Sequence, residues 1–371
     1  MITVDVLALR EALKKVGLSV SVRTTLPITN SVLLENKENV LSITGTNLES
    51  AVIATLPCTG ESLSLCLPYK ILNQFVSKGA GSITLTPKED NKSVLLERSK
   101  IGTMNIWCGK KEDFPPIPKM KNQLWSKLEA KETCRLFGIV LPGCAKDESR
   151  PVLTGVCCRD GEIATADGFR LYNAKSEKFN FGLGKDGTMN PVPISKIIPA
   201  RTISQVIKIF GKLGEMQVVF DDNMVSFKTH DCTLVSQLIQ GTYPKYESLI
   251  PNGFASKVSF SVPDMMQRLG LMDLSNGSGV MRLMTDKERT DGVLNIRGGS
   301  QEMEEARYDL TAPCKAEGQD TRIAFNYKYF VDAIKAFSLC NLEGNNPSSP
   351  GKITGDIEGL MMVIMPMFVQ W

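Results

Sequence analysis

The stretch RPVLTGVCCRDGEIATADGFRLYN (150–173) decides how the chain folds. Its first part is rich in β-branched and small apolar residues, and RDG (159–161) can supply the positive φ that a tight hairpin turn needs. The stretch therefore predicts two antiparallel strands, 151–158 and 162–165, followed by a second tight turn at ADG (166–168). That turn places an aromatic residue, a cation and a leucine at the end of a sheet. The alternative interpretation is that these residues only form the local core of an ordinary β-hairpin.

Length and composition indicate a globular protein of more than one domain. The chain has 371 residues, which exceeds the size at which a single core stops growing, about 250 to 300 residues. Charged residues make up 22% and hydrophobic residues 42%, which argues against a disordered or membrane-embedded chain. The net charge of +3 permits a nucleic-acid partner without requiring one.

The ten cysteines form no CxxC pair, and several lie within apolar runs. This pattern favours buried free thiols in a reducing compartment over a disulfide framework or a metal site. The first residues read as a strand that leads into an amphipathic helix, with neither a signal peptide nor a membrane span. We therefore expect a cytoplasmic protein that does not contact the membrane.

A strand, a helix and further strands follow one another repeatedly along the chain. Two such repeats form a pair, and the pair recurs with a period of about 125 residues. The proline-containing segments DFPPIP (113–118) and YPKYESLIP (243–251) end the first two pairs and indicate linkers. The sequence thus predicts an α+β protein with three similar domains at residues 1–120, 121–251 and 252–371. The six predicted helices are 6–16, 69–77, 132–141, 199–213, 263–271 and 329–337.

The polar faces of these helices carry many lysines and arginines, including Lys70, Arg201 and Lys208. If every repeat places its helix on the same side, the helices of a closed symmetric assembly would surround a hole. A cationic lining would suit a polyanion such as DNA. The alternative is that these charges only solvate exposed helix faces.

Motifs that could support catalysis are weak. The GxGxxG pattern in GLGKDG (182–187) is followed by TMNPVP (188–193), which cannot begin a helix, so a phosphate cradle is disfavoured. His230 is the only histidine, and Asp167 suits a turn-capping role. We expect no metal and no cofactor, and these motifs favour a non-enzymatic role over a catalytic one. A nucleotide-dependent enzyme that uses the loop of Gly182 to Gly187 remains the alternative.

Several motifs spread over the whole chain together resemble one family. They are RTTLPI (23–28), TGTNLE (44–49), DFP (113–115), RPVLTG (150–155), ATADGFRL (164–171), FNYKY (325–329) and IMPM (364–367). With these motifs the chain resembles the bacterial-type DNA polymerase III beta subunits, the sliding clamps. The resemblance implies three domains of the clamp type, each with two repeats, in a head-to-tail homodimeric ring. It further implies a non-catalytic processivity factor that encircles double-stranded DNA without reading its sequence and tethers the replicative DNA polymerase.

The resemblance also implies that short peptides of the polymerase and of the clamp loader bind an apolar groove between the second and third domains. The family usually has threonine and histidine where Ala166 and Phe169 stand here, which puts the preferred peptide of this chain in question. The groove residues that match the family are Leu153, Ala166, Gly168, Phe169, Arg170, Leu171, Pro244, Leu249, Asn326, Tyr329, Val363, Ile364, Met365, Pro366 and Met367.

Two further surfaces are expected. By resemblance, Arg23, Lys146 and Arg150 meet DNA, and we extend this set to Lys70, Arg201 and Lys208 from charge and periodicity. The family joins its subunits between the first and third domains, although a purely local core is the alternative for each residue. Matching the repeats places the following residues at that joint: Phe75, Met272, Leu274, Glu302, Glu304 and Glu305.

Overall fold

The computed structural model describes residues 1–21, 26–88, 92–122, 124–184, 194–272, 279–286, 288, 292–298 and 308–371. Six α-helices lie in this part of the chain, and each overlaps one of the six predicted helices. The helices are α1 (Val6–Val16), α2 (Tyr69–Phe75), α3 (Ala130–Val140), α4 (Ala200–Phe210), α5 (Val262–Leu269) and α6 (Tyr327–Ile334).

The strands follow the predicted repeat, in which each helix lies between one strand and a group of three. In the first two repeats they are β1 (Ile2–Asp5), β2 (Ser31–Lys37), β3 (Val40–Thr46), β4 (Ser50–Pro57), β5 (Thr59–Gly60), β6 (Leu63–Pro68), β7 (Ser82–Pro87), β8 (Ser93–Arg98) and β9 (Gly102–Trp107). In the third and fourth repeats they are β10 (Ser126–Glu129), β11 (Gly155–Arg159), β12 (Glu162–Ala166), β13 (Arg170–Lys175), β14 (Lys196–Pro199), β15 (Glu215–Phe220), β16 (Met224–Lys228) and β17 (Cys232–Gln237). In the last two they are β18 (Ser256–Ser261), β19 (Val280–Met284), β20 (Val293–Gly298), β21 (Tyr308–Pro313), β22 (Lys315–Gly318), β23 (Arg322–Asn326), β24 (Leu339–Gly344), β25 (Gly351–Gly355) and β26 (Leu360–Ile364).

The chain divides into two compact units. Unit 1 consists of Met1–Arg135, Asn180–Gly184 and Arg201–Ile239, and unit 2 of Leu136–Phe179, Lys185–Ala200 and Gln240–Trp371. Unit 1 contains a five-stranded sheet, β5-β1-β7-β8-β9, and an eight-stranded sheet, β10-β15-β16-β17-β4-β3-β2-β6. Unit 2 contains a nine-stranded sheet, β14-β11-β12-β13-β26-β25-β24-β18-β22, and a four-stranded sheet, β21-β20-β19-β23.

The last strand of each group of three, which we call the third strand, determines how the large sheets form. The third strands β4 and β17 pair antiparallel, with Ser50 opposite Ser236 and Ala54 opposite Cys232. The third strands β13 and β26 pair in the same way. The remaining third strands, β9 and β21, lie at the edges of the two smaller sheets. Two of the six third strands therefore keep an open edge within the described part of the chain.

Helix α1 shows why the repeat folds as its sequence predicts. The Asp5 carboxylate accepts a hydrogen bond from the Ala8 amide at 2.8 Å and caps the helix N-terminus. The apolar face, which includes Leu9 and Leu13, is fully buried. On the polar face, Lys15 forms an ion pair of 2.6 Å with Asp231, and its side chain is only about a quarter exposed. The amphipathic pattern thus fixes both the helix and the side that it packs on the sheet.

The structure defines strand ends and two short edge strands that the repeat pattern alone does not give. The last strand, β26, ends at Ile364, two residues before Pro366, which has no N–H to continue a ladder. The short edge strands β5 and β22 were not predicted, since two to four residues carry too little alternation to be recognised. The hairpin at the start of the 150–173 stretch forms with Gly161 at φ +79° in its turn, and its second strand spans Glu162–Ala166. Its first strand spans Gly155–Arg159 and not the predicted 151–158, because Pro151–Leu153 form a short 3-10 helix in which the Thr154 amide donates to the Pro151 carbonyl.

Candidate peptide groove and charged surfaces

The pairing of β13 with β26 forms the floor of a depression in unit 2. Arg170 lies opposite Ile364 and Leu171 opposite Val363 in this ladder. The Leu171 and Val363 side chains are almost fully buried, with 3% and 4% of their surface exposed. The predicted motif at 164–171 is thereby joined to the chain's C-terminal segment, almost two hundred residues later. The sheet gives the depression a rigid apolar base.

A tight turn at the start of β13 directs one aromatic ring outward. The Asp167 carboxylate accepts hydrogen bonds of 3.0 Å from the amides of Phe169 and Arg170. Gly168 has a φ of +90°, a conformation that other residues rarely adopt. Met365 donates its amide to the Phe169 carbonyl at 2.8 Å. The turn is thus fixed on both sides, and it leaves the Phe169 ring 60% exposed at the mouth of the depression.

The Arg170 guanidinium is buried beneath this turn and is fully engaged. It lies 2.9 Å from the Asp167 carboxylate and 3.2 Å from that of Asp332, and it stacks over the Tyr329 ring at 4.2 Å. Burial disfavours ionisation of Asp332, but the hydrogen bonds and charges of Lys335 and Arg170 outweigh it and hold the carboxyl pKa below its usual value. Arg170 therefore connects the turn before β13 to α6, and it presents no free charge to a ligand.

The depression, which we call the peptide groove, has a volume of about 360 Å³. Its walls come from the turn before β13, the 248–251 segment and the loop between β24 and β25. The exposed apolar side chains of Phe169, Leu249 and Met365 stand around it. The lining residues are Ala166, Gly168, Phe169, Arg170, Leu171, Ser248, Leu249, Ile250, Pro251, Asn345, Ser349, Pro350, Val363 and Met365.

Eight of the fifteen predicted groove residues line this cavity, and the others support it or lie elsewhere in unit 2. Tyr329 packs against Phe169 with ring centroids 6.4 Å apart, and Asn326 caps α6. Ile364 and Leu153 are buried, Pro244 is exposed, and Pro366 and Met367 are half-buried. The role of each residue in peptide binding stays a prediction.

Sequence reasoning missed the 248–251 neighbours of Leu249 and the loop between β24 and β25. The first could have been found by including the whole linker around Leu249. The second carries no recognisable motif, because its only link to the groove is the sheet order that brings β25 beside β26.

The cations predicted to meet DNA are exposed wherever the structure describes them. Lys70 lies on α2, Arg201 and Lys208 lie on α4, and Lys146 and Arg150 lie between α3 and β11. Arg23 lies outside the described residues. By contrast, other helix cations are engaged within the chain: Arg10, for example, donates to the carbonyls of Val76 and Gly79.

The predicted subunit joint is partly described. Phe75 is half-buried at the end of α2 in a depression of about 660 Å³ that also includes Ile101, just before β9, and Met104 in β9. Met272 is buried within unit 2, with 4% of its surface exposed. Leu274, Glu302, Glu304 and Glu305 lie outside the described residues. The joint therefore stays a prediction.

The glycine-rich loop shows no nucleotide-site geometry in its described part. Gly182 and Gly184 have φ values of +69° and +65°, and residues 185–193 lie outside the described residues. Among the described residues, no three His, Cys, Asp or Glu side chains group as metal ligands, and His230 points into solvent. None of the described helices has the length and apolar character needed to span a membrane.

Three family models match almost the whole chain in sequence order. They describe the N-terminal, central and C-terminal domains of the DNA polymerase III beta subunit and match residues 1–118, 127–245 and 247–367. The chain belongs to the DNA polymerase III beta subunit family. The predicted α+β fold with three similar clamp domains is confirmed. The predicted boundaries after residues 120 and 251 stay a prediction.

Relatives and solved structures agree with this assignment. The beta sliding clamp of Staphylococcus epidermidis is 27% identical over 343 residues, which cover 88% of this chain and 87% of that protein. The crystal structure of the Bacillus subtilis DNA polymerase sliding clamp matches with a TM-score of 0.89 at 20% identity, over 100% of this chain and 99% of that chain. That of the Pseudomonas aeruginosa DNA polymerase III subunit beta matches with a TM-score of 0.88 at 20% identity, over the full length of both chains.

Proposed function

We propose that this beta subunit is a DNA sliding clamp, which encircles duplex DNA and keeps a DNA polymerase attached to it. The observation that carries the proposal is the match of all three clamp domains in order along one chain. A nucleotide-dependent enzyme at the loop of Gly182 to Gly187 has no such support. The role is non-catalytic, because retention on DNA requires a closed path and a suitable charge rather than chemistry. Replication would place the protein in the cytoplasm.

The exposed cations support binding that is independent of sequence. A sliding protein must attract phosphates without contacting base edges, because base contacts would fix it at one site. Lys70, Arg201 and Lys208 are helix side chains that are exposed and could contact phosphates in this way. Lys146 and Arg150 add charge from a loop. Such contacts make affinity depend on salt, while topology supplies retention.

The open edges of β9 and β21 support a homodimer. Four of the six third strands pair within the chain, β4 with β17 and β13 with β26, so the same rule leaves β9 to pair with β21 of a second copy. Two such joints, related by symmetry, would close a head-to-tail ring.

The hydrogen bonds of the edge strands are consistent with this pairing. Just after β9, the Cys108 amide donates a hydrogen bond to the Lys92 carbonyl. In an antiparallel pair every second residue of a strand directs its amide toward the partner strand, so the amides of Thr103 and Asn105 in β9 face away from β8. In β21 the Thr311 carbonyl likewise faces outward and accepts a hydrogen bond from the Arg268 guanidinium. Pairing of β21 with β9 of a second copy would replace this contact. An exposed strand edge of this length favours pairing with another strand.

The peptide groove would bind short apolar segments of the polymerase and of the clamp loader. The groove is apolar, and its one charged lining residue, Arg170, is neutralised by Asp167 and Asp332. A few leucine or phenylalanine side chains of the peptide, buried in the groove, would give a binding free energy of about −8 kcal/mol, which corresponds to a Kd of roughly 1 μM. Such an affinity permits one partner to replace another.

Loading on a nicked DNA circle tests the topological claim. The protein is loaded with its clamp loader, free protein is removed by gel filtration, and the circle is then cut once with a restriction enzyme. We expect the protein to remain with the circle in about 0.5 M salt and to leave the linear form through its ends, because only topology retains it. Blocking both ends of the linear DNA with bound protein is the control and should restore retention. Equal retention on open linear DNA would contradict the proposal.

A further inference from the structure

Unit 1 contains a second, larger groove on the eight-stranded sheet. Its floor is formed by side chains that face the same side of β2, β3, β4, β16 and β17. The register places Thr44 opposite Ile53 and Ile53 opposite Thr233, so aliphatic and hydroxyl groups alternate across the joint of β4 with β17. The floor is a regular sheet and does not need to rearrange to accept an extended ligand.

The wall of this groove is built from the segment 111–120, which contributes Pro115, Pro116 and Pro118. Phe114 is buried against Leu33 and Cys66, which anchors the segment that follows β9 on the sheet. We name the cavity, of about 970 Å³, the proline-walled groove. Its lining residues are Leu33, Glu35, Ser42, Thr44, Ile53, Lys111, Glu112, Phe114, Pro115, Pro116, Ile117, Pro118, Lys119, Met120, Trp125, Ser226, Lys228, Thr233 and Val235.

The two grooves occupy related positions but differ in chemistry. Each lies on a pair of third strands and is flanked by the linker segment that ends a domain. The peptide groove is apolar with one neutralised charge, whereas the proline-walled groove is lined by five charged side chains. The two grooves would therefore select different ligands.

The charges of the proline-walled groove favour an anion. Lys111 and Glu35 form an ion pair of 2.7 Å and cancel each other. The remaining charged lining residues are Lys119, Lys228 and Glu112, an excess of one positive charge. Over residues 109–121 there are four lysines, against one glutamate and one aspartate, and with Lys111 cancelled by Glu35 the excess along the wall is again one positive charge.

Lys228 is held in place by an aromatic ring. Its ammonium lies 3.6 Å from the centroid of the Trp125 ring, a close cation–π contact. The contact fixes a positive charge at the edge of the groove before any ligand arrives. It also covers one face of the indole, which leaves that face unavailable for stacking on a nucleic-acid base.

We propose that the proline-walled groove binds an extended acidic peptide of a protein partner, with an aliphatic side chain over Ile53 and carboxylates beside Lys119 and Lys228. Proline and aliphatic walls suit a peptide better than a phosphate backbone, and the sheet floor suits an extended chain. The interaction is separate from the apolar peptide groove and does not depend on DNA.

The probe is a fluorescein-labelled heptapeptide, Asp-Glu-Leu-Pro-Leu-Asp-Glu, titrated with the full chain in 50 mM salt. We expect saturable binding with a Kd of about 100 μM and at least fivefold weaker binding in 300 mM salt. Lys228→Glu and Lys119→Glu should each weaken binding at least tenfold. Because Lys119 lies in the wall and not in a strand, its variant tests the charge without disturbing the sheet. Lys315→Glu, which reverses an exposed lysine of unit 2, is the matched control and should leave binding unchanged.

Two further probes separate the alternatives. The neutral peptide Asn-Gln-Leu-Pro-Leu-Asn-Gln should bind at least tenfold more weakly, and Met365→Ala in the peptide groove should not affect the acidic probe. Equal binding of the two peptides, or unchanged binding by both charge-reversal variants, would overturn the proposal. Tighter binding of an oligothymidine that displaces the acidic peptide would also overturn it and would assign the groove to single-stranded nucleic acid.

Discussion

Replacing Arg170 with alanine should loosen the peptide groove from within. The Arg170 side chain has 7% of its surface exposed, and its guanidinium joins the turn before β13 to α6 through Asp167 and Asp332. Removing one partner of a buried ion pair costs about 3–5 kcal/mol, because it leaves uncompensated charge in a poorly solvated site. The stacking on Tyr329, worth about 1 kcal/mol, is lost as well.

Both carboxylates keep other donors, which reduces this cost. Asp167 retains the backbone amides at 3.0 Å, and Asp332 retains the Lys335 ammonium at 2.6 Å. Asp332 is also about one third exposed, so water replaces part of the lost interaction. We therefore expect Arg170→Ala to lower the local free energy of unfolding by about 2–3 kcal/mol.

Hydrogen exchange measured by mass spectrometry reads this local free energy directly. Amides of the 163–175 and 325–335 segments should exchange about 30- to 150-fold faster in the variant, since each 1.4 kcal/mol is a factor of ten. Lys335→Met removes the exposed partner of Asp332 and is the matched control, with an expected change below about 0.5 kcal/mol. Exchange within twofold of the unmodified protein in both segments would refute the argument that Arg170 ties them together.

The remaining predictions concern the subunit joint, DNA and the thiols. Asn105→Pro removes an outward amide of β9 without breaking its ladder with β8, so the mass in solution should fall to that of a single chain, whereas Asn105→Ala should leave it unchanged. Lys146→Glu combined with Lys208→Glu should weaken binding to duplex DNA at least tenfold in 50 mM salt and reduce the magnitude of the slope of log K against log salt by about 2. Arginine at both positions should change neither quantity. An unchanged slope in the glutamate variant would count against these contacts. All ten cysteines lie among the described residues and nine of them are buried, so at pH 8 Ellman's reagent should react rapidly with Cys314 at most and with ten thiols after denaturation. Several fast thiols in the native protein would contradict the described core.

The sequence predicts the local structure well because period and turn chemistry act over short distances. Helix α1 begins and ends where its apolar period predicts, and the turn at Gly168 adopts the positive φ that its glycine indicates. The motif at 164–171 also identifies the core of the groove, because the strand and its turn are contiguous in sequence. Predictions of this kind depend only on neighbouring residues.

Long-range pairing could not be predicted in the same way. Arg170 and Asp332 are 162 residues apart and meet only because α6 packs near the joint of β13 with β26. The loop between β24 and β25 enters the groove for a similar reason, since the sheet order places β25 beside β26. The proline-walled groove follows from the pairing of β4 with β17 and from the anchoring of Phe114 on the sheet. None of these contacts leaves a periodic signal in the chain.

The mass of the protein in solution tests most directly whether two copies close a ring. One chain has a mass of 40.8 kDa, so two chains give about 82 kDa. Light scattering coupled to size-exclusion chromatography should give about 82 kDa at micromolar concentration and remain constant on dilution within that range. A mass of about 41 kDa at every concentration would mean that β9 and β21 stay unpaired, and it would contradict the proposed ring.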